Sequence, residues 1–145
     1  MQRYTVLAAA VLLLTACENP ATPGGHIHAY GVVVRDGTQE LIRATGATVI
    51  GSLEVVAGQQ RGPLTARMLD REGRDLEPRH GFWLRVISAA PAIARWDYTQ
   101  GEYTGRLVGV AAGTTTLEFC NMHGAVGRGH DDGCQNVPVT VRRAQ

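Results

Sequence analysis

Residues 91–119 read P-A-I-A-R-W-D (91–97), then a polar loop Y-T-Q-G-E-Y-T (98–104), then G-R-L-V-G-V-A-A-G-T-T-T-L-E-F (105–119). Two short apolar runs are joined through Ala111-Ala112-Gly113 to a third. Pro91 marks a start, and Ile93–Asp97 reads as one strand. Leu107 and Val110 straddle Gly109 in the next. Gly113 can take a positive φ without steric cost, as tight turns between strands often need. Thr115, Leu117 and Phe119 share one face, while Thr116 and Glu118 take the other. That period of two is the mark of a half-buried strand.

The same alternation runs outward in both directions. His26–Thr45 reads as a hairpin: Tyr30, Val32 and Val34 alternate with Gly31, Val33 and Arg35, Asp36-Gly37 is a two-residue turn signal, and Glu40-Leu41-Ile42 begins the return. Thr48–Val56 reads as one further strand with a bulge at Gly51. Leu64, Ala66 and Met68 face one way, Thr65 and Arg67 the other. Phe82–Ile87 follows a charged loop, Asp70–Pro78, with Leu84 and Val86 inward. Val137–Val141 closes the chain, and Pro138 within it implies an edge strand or an N–H position outside the ladder. No stretch carries apolar residues at helical spacing for three turns. The pattern predicts an all-β sandwich.

Gly105, Gly109, Gly113 and Thr114, in the frame "G-x-V-x-G-V-x-x-G-T-x-x-L" after a "P-x-I/V-A" strand, resemble the second half of the bacterial Ig-like group 2 domain of invasin- and intimin-like surface proteins. Val55–Gln59 with Leu64-Thr65-Ala66, and the loop around Gly73, are similar to that family's first strands. The resemblance covers about Leu53 to Val141. It implies an Ig-like antiparallel β-sandwich, with the preceding residues as an extra N-terminal hairpin. The family's core Trp has no clean counterpart in Phe82–Ile87, where Trp83 falls beside the inward positions.

The first residues read as an address. Val6–Leu14 is apolar and uncharged, too short for a bilayer span, which takes about 20 residues, and fit for a signal-peptide core. Leu14-Thr15-Ala16-Cys17 looks like a lipobox, with Cys17 the lipidated residue. Glu18–Gly25 (E-N-P-A-T-P-G-G) reads as a tether. The expected organisation is a lipoprotein signal peptide over 1–16, lipidated Cys17 and tether over 17–25, and one domain over 26–145. The expected address is the cell envelope, bound to the membrane by lipid, with Glu18 favouring the outer membrane where there is one. The chain has 14 Arg and Lys against 13 Asp and Glu, with no basic stripe, so nucleic acid is not an expected partner.

Catalysis has little to work with. Ser52 and Ser88 are the only serines, outside any nucleophile elbow, and the paired acids Asp131-Asp132 sit in a glycine-rich stretch without an apolar pocket. The chain is therefore not expected to be an enzyme. The Asp70–Pro78 acids suggest calcium, but Arg71 and Arg74 among them favour a solvated loop. Cys120 and Cys134 are the sharper signal. With Leu117 and Phe119 inward, and Val137, Val139 and Val141 inward, both thiols fall on the same face of adjacent strands, and an exported protein would join them as a disulfide.

The competing reading is a zinc or copper site. Cys120-x-x-His123, His130-x-x-x-Cys134 and His26-x-His28 all have ligand-like spacing. A disulfide would leave any metal to rely on histidines and carboxylates alone. If successive strands alternate in direction, all five histidines gather at one end, and His26, His28, His123 and His130 become candidate ligands. The main expectation is a non-catalytic binding or structural module that contacts another envelope protein or a surface glycan and has no cofactor. A histidine-based metal-binding lipoprotein is the alternative.

Overall fold

A computed structural model describes residues 28–145; the signal-peptide, lipobox and tether readings, and His26, lie outside the described residues. The described residues contain no helix and form ten strands in two sheets. These are β1 (Gly31–Asp36), β2 (Gln39–Thr45), β3 (Thr48–Gly51), β4 (Leu53–Val56), β5 (Gln60–Leu69), β6 (Phe82–Ser88), β7 (Ala94–Tyr98), β8 (Thr104–Gly109), β9 (Gly113–His123) and β10 (His130–Arg142). One sheet runs β3-β2-β1-β5-β8-β7, and the other β4-β10-β9-β6. Within them, β1-β5-β8-β7 and β6-β9-β10 follow the A-B-E-D and C-F-G orders of an immunoglobulin-type sandwich.

The inward residues are those that alternation selects. Leu64, Ala66 and Met68 of β5 are buried, as are Leu117 and Phe119 of β9 and Val137, Val139 and Val141 of β10. Trp96 of β7 meets Phe119 across the sheets edge to face, with ring centroids 5.4 Å apart. Gly105 makes room for that indole: a Cβ there would lie 2.2 Å from Trp96 Nε1. Trp96 is thus a core tryptophan, while Trp83 turns to the outer face of the second sheet, one position from inward Leu84.

Some details differ from the alternation reading. The N-terminal hairpin is present as β1 and β2 and is built into the larger sheet: β1 lies between β2 and β5, with Val32, Val33 and Val34 all fully buried. Its turn is Gly37-Thr38, one residue later than expected, with Gly37 at φ 56°, the sign that the first central position of a type II′ turn takes. Thr48–Val56 is not one bulged strand. It breaks at Ser52, and the chain crosses from the edge of one sheet (β3) to the edge of the other (β4). There β4 pairs in parallel with β10, so the sandwich is antiparallel except for this one ladder. Along β10, the β4 ladder starts only at Val139, so Pro138, which faces Thr116 of β9, lies on the stretch that has β9 alone as its partner.

Successive strands alternate in direction, except that β3 and β4, on either side of Ser52, run the same way. Gly31 pairs with Leu69, Phe82 with His123, Thr65 with Thr104, and His123 with His130. The start of β1, the ends of β5 and β9 and the starts of β6, β8 and β10 therefore lie at one end of the sandwich.

Candidate functional site

That end carries the histidines. His123 closes β9 and His130 opens β10, and the two are register partners across the ladder. Their rings meet edge to face at 5.3 Å, and Phe82 stacks on His123 at 4.6 Å. His80 lines an open hollow beside them with Phe82, Trp83 and Gly124. Ala29 binds the same region, its N–H donating to the Asp132 carbonyl at 2.7 Å. His28 therefore enters at this end, and packs edge-on against Tyr30 at 4.9 Å. The four described histidines share one end. Of the candidate ligands, the structure brings His123 and His130 together, while His28 joins no ligand cluster with them.

A bulge supplies the third member. Asp131 opposes Met122 and Cys134 opposes Cys120, so Asp132 and Gly133 together oppose Asn121. Such an extra residue re-aims side chains. Counting back by twos from Val137 would put Asp131 and Gly133 on the inward face. The inserted residue shifts that parity, so His130 and Asp132 share a face with His123. Asp132 Oδ1 lies 3.6 Å from His130 Nε2, and Asp132 Oδ2 lies 4.0 Å from His123 Nδ1. One donor atom from each of the three falls within 4.8 Å of the others. The Asp132 side chain is only 9% exposed, against 34% for His123 and 59% for His130. A carboxylate removed from water to this degree needs charge or hydrogen-bond partners, and two imidazoles stand beside it.

Gly133 is what the bulge requires. Its φ is +118°, which side-chain-bearing residues rarely adopt, and a Cβ there would lie 2.2 Å from the Ala29 carbonyl oxygen. His123, His130 and Asp132 are all strand residues, and only residues 124–129 connect β9 to β10.

On the opposite face of the same two strands, Cys120 and Cys134 form a disulfide with Cα atoms 4.0 Å apart. The parity is as expected, yet Cys120 is fully buried, packed with Trp83 and Met122. The indole of Trp83 donates to the Gly124 carbonyl at 3.1 Å, which draws the 124–129 loop over this outer cluster. Joined to each other, the sulfurs are no longer thiolate donors, although Glu118 lies within ligand range of both. The metal reading that used the cysteines thus gives way to one without them.

Elsewhere the candidate groups are engaged in structure. Ser88 Oγ donates to the Ala94 carbonyl at 2.6 Å. In the charged loop, Asp70 accepts from the Arg74 backbone N–H at 2.8 Å, from that of Glu72 at 3.0 Å and from Arg74 Nε at 2.8 Å. These bonds, that from the Arg74 backbone first, hold its carboxyl below the usual range. Asp75 forms a two-pronged pair with Arg35. Asp70 thus answers Arg74 within the loop, and Asp75 answers Arg35 of β1.

Sequence reasoning passed over Asn121, which is 3% exposed on the inward face between Phe119 and His123. The signal was available, since inward parity in β9 continues past Phe119. It set the Asp131-Asp132 pair aside for catalysis and did not single out Asp132 as a ligand, because a bulge cannot be read from alternation.

Fold and site together define an all-β, immunoglobulin-ordered sandwich with a His-His-Asp cluster at one end. No protein-family model matches the chain, and no curated protein matches it either.

Proposed function

We propose that this chain is a lipid-anchored protein of the bacterial envelope whose Ig-like sandwich is a non-catalytic binding module for another envelope protein. Support for the anchor comes from Leu14–Cys17 and the polar tether after it. The strand order supports the resemblance to group 2 Ig-like domains.

The observation that carries the binding role is the edge of β3, which among the described residues pairs only with β2. Thr48–Gly51 has no charged residue, every position is exposed, and Ile50 is 64% exposed. Edge strands present unpaired N–H and C=O groups, and proteins commonly blunt them with charge. The far edge of the same sheet, β7, is so protected, by an Arg95–Asp97 ion pair at 2.9 Å. An unguarded β3 suits strand addition by an extended segment of a partner.

Photo-crosslinking in intact cells tests this. A crosslinker at Ile50 should capture an envelope protein, the same group at Arg95 should not, and Cys17→Ser should release the chain from membranes and abolish the adduct. Absence of an Ile50 adduct contradicts the binding role. Membrane retention of Cys17→Ser after a high-salt wash contradicts the anchor.

A further inference from the structure

We propose that His123, His130 and Asp132 form a binding site for a divalent transition cation of the zinc and copper class. The site goes beyond the anchored-module reading and does not depend on it. Three observations converge. First, the residue types suit the ion: two imidazoles and one carboxylate are the donors that borderline divalent metals take, with a preference for copper over zinc in raw affinity. Second, the donors converge on one point, within 4.8 Å of one another, from the end of β9 and the start of β10. Third, the convergence is built. A one-residue bulge turns His130 and Asp132 to the face of His123, Gly133 permits it, and the N–H of Ala29 holds the Asp132 carbonyl from the other side.

Two ligands on one zinc ion lie at most about 4.2 Å apart, twice the usual zinc–nitrogen distance. The His130–Asp132 contact at 3.6 Å and the His123–Asp132 contact at 4.0 Å already meet that limit. One donor atom from each of the three lies within 4.8 Å of the others, so closing onto one ion asks only a small shift, and His130 has the most exposed ring of the set. Phe82 fixes the His123 ring from one side. Three protein donors leave a fourth position of a tetrahedral ion open. With His130 well exposed, that position faces solvent, where water or a donor from a docked partner can fill it.

His26-x-His28 is the rival site in this chain. His28 stands outside the cluster, turned onto Tyr30.

The test is calorimetric titration of the full chain in detergent micelles with zinc chloride, and separately with copper chloride. One equivalent of metal should bind. His130→Gln, at an exposed position, should weaken binding by about tenfold or more and leave the melting temperature of the metal-free protein unchanged. Asp132→Asn should weaken it comparably. The double variant His26→Gln/His28→Gln should keep the wild-type affinity, and metal should raise the melting temperature of the wild type but not of His130→Gln. The proposal is overturned if neither metal binds, if His130→Gln binds as the wild type does, or if the His26/His28 variant is the one that loses binding. A cluster that serves only as an internal His–Asp ion pair would give the first of these results.

Discussion

Gly133 lies under the carbonyl of Ala29 so closely that a single methyl group would reach to 2.2 Å from its oxygen. The contact ties the entering chain to the bulge that shapes the His-His-Asp cluster. Gly133→Ala should therefore cost about 1–3 kcal/mol in backbone strain alone, with the collision added. Chemical denaturation should show that loss. A variant as stable as the wild type would mean the bulge does not need this glycine.

The disulfide acts from the other face of the same ladder. Cys120 and Cys134 are 14 residues apart, a loop whose closure stabilises by about 3 kcal/mol in the chain-entropy picture. The double variant Cys120→Ala/Cys134→Ala should lose stability of that order while its circular-dichroism spectrum stays that of a β-protein. Unchanged urea midpoints would contradict it.

At the centre of the sandwich, Gly105→Ala should drive a methyl into the Trp96 indole, 2.2 Å from Nε1. Trp96 is held by Phe119, so it cannot move aside freely. Overpacking of this kind costs about 1–3 kcal/mol. Denaturation midpoints and tryptophan fluorescence should both shift. No change in either would show that the indole has room to spare.

Much of this was legible beforehand. Period-two alternation picked the inward residues of β5, β9 and β10, and strand reversal placed the described histidines at one end. What was hidden shares one cause: each hidden feature depends on a partner strand and not on local pattern. The break at Ser52 becomes a change of sheet only because β10 is there to receive β4. The inner position of β1 depends on β5, some 30 residues later. The bulge at Asp132-Gly133 is defined against Asn121, and without it simple counting points His130 and Asp132 the wrong way.

The Arg35–Asp75 pair makes a pH prediction. The hydrogen bonds from Arg35, first, and its charge hold the Asp75 carboxyl below the ordinary carboxylate value. A depressed carboxyl contributes stability that is present above the unfolded value, about 3.9, and is lost as pH falls through the lower folded value. Both side chains are partly exposed, at 24% and 34%, so screening keeps the contribution below about 1 kcal/mol. Asp75→Asn should be slightly less stable than the wild type at pH 7, and the difference should close on acidification below pH ~4. A difference that persists at pH 2 would contradict the ionic origin.

The most direct test of the functional end is a crystal of the zinc-soaked protein measured across the zinc absorption edge. An anomalous peak bonded to His123, His130 and Asp132 is the predicted result. A peak at His26 and His28 instead, or no peak in protein that diffracts well, would contradict it.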